Sequence, residues 1–302
     1  MFTKEWKYIL LIVTIFIAAC METDIYLPAF TDMMAFFSIS EDTIQGLLTW
    51  NFVGICLSGP IYGPVSDAIG RKKPLLFALA MFFLGSVITV FADSFSFMLL
   101  GRVLQGLGSG GCFTLGTAVI FDVFSLDQAI SALNKINAIV PFLMATAPMI
   151  GGYLNYAYGF RSNFLAIAFM VFLSLLVCIF WFDEPLPKMK RVPFNIKKIA
   201  LDFGRVFSSL AFWQTTMIVC LLFSGYITYL SGVSVLFVLE LGVQKSYLPF
   251  YQGALLGAWL IANLLFKSAL NRLGTEHVKK VGTCLFTVGG GRSCHRGMDC
   301  SS

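Results

Sequence analysis

Apolar residues run in long blocks along this chain, and polar residues gather between the blocks. The blocks lie near 8–28, 43–62, 74–92, 95–120, 132–155, 162–182, 212–238 and 247–267; a ninth begins near 278 and fades after Val288. A helix rises about 1.5 Å per residue, so about 20 apolar residues cross about 30 Å of hydrocarbon. Each block is therefore expected to be a membrane-crossing helix, and the fold class all-α and polytopic. The first block admits a second reading. Lys4 and Lys7 before an apolar run ending in "IAAC" also fit a signal peptide with a lipobox-like end at Cys20. That reading leaves the later blocks unexplained.

Composition agrees with the blocks. Charged residues make up 12% of the 302 and hydrophobic residues 58%, whereas a soluble domain carries about 25% charged residues. The net charge of +5 raises nucleic acid as a partner, and its placement argues against it. Lys4 and Lys7, then Arg71, Lys72 and Lys73, then Lys188, Lys190, Arg191, Lys197, Lys198 and Arg205, then Lys267, Arg272, Lys279 and Lys280 all fall on one side of the alternating blocks. The opposite loops hold Arg161 and Lys245. Basic loops stay in the cytoplasm, which puts the N-terminus there and makes the charge a topology signal. Six of the eight Cys, from Cys20 to Cys284, lie singly in apolar runs, where Cys serves as a small hydrophobe. The main body has no metal-type spacing; Cys294-His295 with Cys300 is a remote candidate. Neither a metal nor another cofactor is expected, and no enzyme chemistry.

The segment 183–211 holds Pro185, Pro187, Pro193 and much of the basic charge. It divides the chain into a six-helix unit (1–182), a cytoplasmic linker (183–211) and a second, partial bundle (212–288). Within it "NIKKIALDFGRVF" has an amphipathic pattern that suits the membrane surface. Asp67-x-x-Gly70 after the second block is echoed by Asn271-x-x-Gly274 after the eighth, each followed by basic residues. Transporters built from two similar halves show such repeats. Residues 289–302 read "GGRSCHRGMDCSS" with a preceding Gly, unlike a membrane helix, and the expectation is a truncated chain with an aberrant tail.

Two carboxylates, Glu22 and Asp24, end the first block. A helix stopping before Glu22 spans only ~21 Å from Tyr8; one continuing to Leu27 reaches ~30 Å, with Pro28 as its stop. Both acids then lie in the outer half of the membrane. A short or tilted helix with both at the outer surface is the alternative. Arg102 falls ~10 Å into the fourth block and Asp24 ~6 Å below the same face. Charges inside a membrane are costly, so they are paired or face water; snorkelling is the other reading for Arg102. Glu22 and Asp24 point about 200° apart on a helix, so they do not share one wall. An acid in such a place exchanges a proton for a cationic or polar substrate, the minimum chemistry of proton-coupled exchange.

These residues resemble a known family. "GPVSDAIGRKKPL" (63–75) resembles the loop signature of the major facilitator superfamily: Gly63, Asp67, Gly70, Arg71, Lys72 and Leu75 fit, while Val65 and Ala68 depart. "RVLQGLGSG" (102–110) resembles the fourth-helix signature. "APMIGG" (147–152) resembles the end of the antiporter signature of the fifth helix, with Ala147 for its first Gly. "TDIYLPAF" (23–30) resembles the first-helix end of the bicyclomycin/chloramphenicol-resistance (Bcr/CflA) drug-efflux branch. The resemblance implies a proton-coupled efflux antiporter for small lipophilic compounds, driven by the proton gradient and set in the bacterial inner membrane. It implies that Asp24 couples proton and substrate, that Arg102 is the fourth-helix base, and that Asp67 and Arg71 form a cytoplasmic gate. Pro148, Gly151 and Gly152 would shape the fifth helix where the halves meet. Glu22 has no firm counterpart and is carried on its position. Two other readings stay open: a non-transporting membrane remnant, or a metabolite transporter of the same fold. A further chain supplying missing helices is the one protein partner suggested.

Overall fold

The computed structural model describes residues 4–237 with Leu241, Gly242, Tyr247 and Tyr251. The chain divides into two units, Met1–Gln252 and Gly253–Ser302, and only the first is described below. The eighth and ninth expected spans, the 271–274 repeat and the 289–302 tail thus fall, but for Tyr247 and Tyr251, outside the described residues. Among those described there is no strand.

Helix α1 runs Lys4–Asp24 and is followed by a 3-10 turn at Leu27–Ala29 and then α2, Phe30–Phe37. The expected stop at Pro28 is an interruption instead. Pro28 opens the 3-10 turn, where its missing N–H costs nothing, and the chain turns helical again. Ser38, in the left-handed region at φ 53°, ends α2. Ser40 caps the short α3, Glu41–Ile44, by accepting from Thr43 N, and α4 follows as Gly46–Ile69. α5 is Lys72–Val90 and α6 is Phe95–Val123, the latter capped by Ser94, whose hydroxyl accepts from Phe97 N at 3.3 Å. α7, Leu126–Tyr158, starts with a capping box of Ser125 and Gln128. α8 is Arg161–Trp181. In the linker, α9 is Ile196–Phe207, capped by Asn195, and α10 begins at Leu210 and runs to Val235.

Among the described residues, five stretches are long and apolar enough to cross a membrane: Lys7–Phe37, Glu41–Ile69, Lys72–Val90, Phe95–Val123 and Arg161–Trp181. α7, with 33 residues, is about 50 Å long and contains the fifth expected span.

α6 sits at the centre of the bundle. α4 and α5 pack along it, α1 packs on α6, α7 and α8, and α5 also meets α8. Glycine makes the first two approaches possible. A Cβ on Gly106 would fall on the Asn51 carbonyl of α4, and one on Gly108 would fall on the Phe82 backbone of α5. Backbones this close gain dispersion along their length, the usual source of helix association in lipid. Large side chains fill the rest: Tyr26, Phe30, Phe82, Phe164 and Phe182 are fully buried. α10 packs against the Leu27–Ala29 turn and α2.

Candidate functional site

At one level of the bundle, where α1, α4 and α5 meet α6, polar side chains come together. Arg102, seven positions into α6, is 0% exposed, as is Asp24 at the end of α1; Glu22 is 1% exposed. One guanidinium NH2 group of Arg102 donates to Glu22 Oε1 and, at 2.7 Å, to Gln105 Oε1. The other donates to the Tyr26 hydroxyl at 2.9 Å, and Nε donates to the Leu47 carbonyl at 3.3 Å. The guanidinium carbon also lies 4.4 Å from the centre of the Tyr26 ring, a cation–π distance. Tyr26 in turn stacks on Phe164 at 5.4 Å.

The network continues into α4 and α5. Asn51 Nδ2 donates to Glu22 Oε1 at 2.9 Å and to the Arg102 carbonyl at 3.2 Å. Gln105 Nε2 donates to Ser86 Oγ at 2.9 Å. Glu22 Oε2 and Asn51 Oδ1 are buried acceptors that receive no hydrogen bond from the protein. Two carboxylates and one guanidinium thus occupy a space closed to water, and Glu22 accepts directly from the guanidinium. The structure brings Asp24, Glu22 and Arg102 to one end of the bundle core. Tyr26, Asn51, Gln105 and Ser86 complete the network and were not singled out as site residues in the sequence. Asn51 did carry a signal, as an amide well inside an apolar block.

Pro148, Gly151 and Gly152 lie buried on α7. A Cβ on Gly151 would fall on the carbonyl of Ile25. The glycine is what lets α7 lie against the chain directly after Asp24.

A second cluster forms where α4 turns into α5. Gly70 has φ 100°, a conformation that favours glycine, and it lets Arg71 fold back under α4. Arg71 binds Asp67 at 2.7 Å and Asp122, near the end of α6, at 2.6 Å, and donates to Ser66 Oγ. Burial disfavours the charged guanidinium, but Asp122 and Asp67 outweigh it and hold Arg71 above the usual arginine value. Glu184, just after α8, accepts from Arg71 N at 2.8 Å and Lys72 N at 3.1 Å. It satisfies two of the orphan donors at the start of α5, where a negative charge is favoured by the helix dipole. Gly63 lies one turn before Asp67 on α4 with open space around it. Asp122 and Glu184 are the partners that the loop motif alone did not reveal.

Residues 12–292 match the Major Facilitator Superfamily. The chain belongs to that superfamily. Its members are transporters rather than enzymes. The uncharacterized MFS-type transporter YdgK of Bacillus subtilis (strain 168) is 32% identical over 215 residues, covering 69% of this chain and 52% of the relative. The bicyclomycin resistance protein homolog of Haemophilus influenzae is 21% identical over 267 residues, 88% of this chain and 67% of its own. Multidrug resistance protein MdtM of Escherichia coli (strain K12) is 26% identical over 251 residues, 82% and 60%. The resemblance to drug-efflux proteins of the superfamily therefore holds across much of the chain. Among solved structures, a bacterial homolog of the human lysosomal transporter Spinster, inward-facing and unoccupied, superposes with a TM-score of 0.69 at 18% identity over 90% of this chain and 64% of that one. The D-xylose-proton symporter gives 0.65 at 14% identity, over 88% and 69%. Both show the all-α major facilitator fold. This superfamily member spans between about half and two-thirds of the length of these curated relatives.

Proposed function

We propose that this chain forms the proton-coupling part of an efflux antiporter for small lipophilic compounds, with its N-terminus on the cytoplasmic side of a bacterial inner membrane. One observation carries the reading: Arg102 is buried between Glu22 and Tyr26 of the α1 end, with Asp24 two residues further on and equally buried. The relatives named for bicyclomycin and multidrug resistance support the substrate class.

The chemistry follows from charge balance. Two ionised carboxylates against one guanidinium leave a net negative charge in a medium where an unpaired ion costs several kcal/mol, on the order of 2–4 on the insertion scale. A proton on one acid removes that charge. A cationic or strongly polar substrate removes it as well. The site then holds either proton or substrate, and a bundle that reorients only when the site is neutral exchanges one for the other. Glu22 Oε2 and Asn51 Oδ1, two buried acceptors with no donor, mark where a proton lowers the energy. Asp24 is the second seat. In this reading Gly63, Asp67, Gly70 and Arg71 form a cytoplasmic gate whose closed geometry depends on Asp122. Pro148, Gly151 and Gly152 keep α7 close to α1 as the bundle moves. The protein's other partners in this reading are protons, the bilayer and a chain that supplies the missing helices.

The test is ethidium accumulation in cells lacking efflux pumps, with and without an uncoupler. Expression lowers accumulation, the uncoupler reverses it, and Asp24→Asn or Arg102→Met abolishes the uncoupler response. Accumulation equal to the empty vector, with the protein present in the membrane, removes the proposal. An unchanged uncoupler response in Asp24→Asn removes Asp24 from it.

A further inference from the structure

The linker helix α9 is left without a partner on much of its apolar side. Ile196, Ile199, Ala200, Phe203, Val206 and Phe207 fall within about 120° of arc on a helical projection, and Lys197, Lys198 and Arg205 lie on the opposite side. A cleft of about 410 Å³ between α9 and the end of α4, at Pro64 and Asp67, receives Ile199, Phe203 and Val206 from its edge. Ile196 remains 70% exposed and Phe207 52%.

Three features say what covers the exposed arc. The first is charge: residues 188–205 hold Lys188, Lys190, Arg191, Lys197, Lys198 and Arg205 against a single acid, Asp202. The second is position. α9 turns after two residues into α10, an apolar helix that the sequence reads as the seventh span, which puts the C-terminal end of α9 where that span would leave the membrane. The third is the corner itself. Phe203 stacks on Phe207, Phe212 meets Phe207 and Trp213 edge to face, Trp213 is tilted against Phe207, and Trp213 Nε1 donates to the Phe207 carbonyl at 2.7 Å. Aromatic groups with one polar tip favour the headgroup level.

We infer that α9 lies in the surface of an anionic leaflet, with Ile196 and Phe207 in the acyl boundary and the basic residues of 188–205 among acidic lipid headgroups. The occupant of this face is the membrane's own anionic lipid, not a protein. The inference is independent of what is transported. Since Val192 N also donates to the Asp67 carbonyl at 3.0 Å, a leaflet that holds α9 also holds the strand of linker laid against the 63–71 loop.

Hydrogen exchange of the full chain in lipid nanodiscs tests this. Discs of phosphatidylcholine alone are compared with discs containing phosphatidylglycerol. Each basic residue near an anionic surface contributes about fivefold, so amides of 196–207 are expected to exchange at least about fivefold more slowly in the anionic discs. The difference shrinks in high salt, which screens surface charge. It disappears in the triple variant Lys197→Glu, Lys198→Glu, Arg205→Glu, while α6 peptides exchange alike throughout and certify the fold. Equal protection in both lipids means that a protein surface or a neutral apolar contact covers the helix, and overturns the inference. Equal lack of protection overturns it too, as does a triple variant that keeps the lipid difference.

Discussion

Replacing Arg102 with Met keeps the length of the side chain and removes its charge and donors. Glu22 Oε1 then keeps only Asn51, while the Tyr26 hydroxyl and Gln105 Oε1 lose their donor. The two buried acids lose the one cation among them. Breaking a buried pair from one side costs about 3–5 kcal/mol, and this site lies at the top of that range because four hydrogen bonds and the Tyr26 ring contact go together. Glu22→Gln is milder, since an amide still accepts from the charged Arg102; an ion pair is exchanged for an ion–amide hydrogen bond, at a cost of about 1.5–3 kcal/mol. The double variant leaves no Glu22 charge stranded, and only the effect on Asp24 of losing the cation remains. Its cost should fall short of the summed single costs by at least ~1.5 kcal/mol. Reversible unfolding of all four proteins in mixed micelles measures this cycle. Additivity within about 0.5 kcal/mol would refute the claim that Glu22 and Arg102 act as a pair.

Gly106→Val places a branched side chain on the Asn51 carbonyl; overpacking costs about 1–3 kcal/mol or more, so the folded yield in membranes should fall sharply while Gly63→Ala, in open space, should be tolerated. Glu184→Gln removes the negative charge at the start of α5 and should lower the melting temperature by the equivalent of about 0.5–1 kcal/mol, with the loss shrinking in high salt. Asp122→Asn should loosen Arg71 and speed proteolysis in the 184–192 segment relative to wild type. Lys7→Ala breaks an ion pair with Asp183 whose side chains are 37% and 64% exposed, and thermal unfolding should move by the equivalent of less than about 1 kcal/mol.

Much of the fold was legible because apolar run length is a direct physical constraint in a bilayer. The blocks at 74–92 and 162–182 correspond to α5 and α8 within a residue or two, and the amphipathic "NIKKIALDFGRVF" became α9. Where the expectation differed, local geometry decided. Pro28 was expected to stop the first helix, yet a proline at the head of a new turn costs nothing, so the chain continues into α2. α7 extends six residues before its expected start because Ser125 and Gln128 cap it there. The ion cluster was legible in depth but not in rotation. Helix rise put Asp24 and Arg102 at similar depth, and the 200° between Glu22 and Asp24 said that the two acids would not face one cavity wall equally. Which side of α1 faces Arg102 depends on how α1 is rotated against α6, and that is set by contacts remote in sequence, such as Phe16 against Gly116. Asp122 and Glu184 were hidden for the same reason: each is an ordinary helix-end acid until α6 and α8 bring it beside Arg71.

The most direct test of proton coupling at this cluster is substrate-induced proton release. The purified chain is placed in weak buffer with a pH dye, and tetraphenylphosphonium is added as a lipophilic cation. The account predicts that binding is accompanied by release of protons, diminished in Glu22→Gln, diminished in Asp24→Asn and absent when both are changed. Saturable binding of the cation with no proton released at any pH between 6 and about 8, a window bracketing the operating range of a general acid, would contradict it.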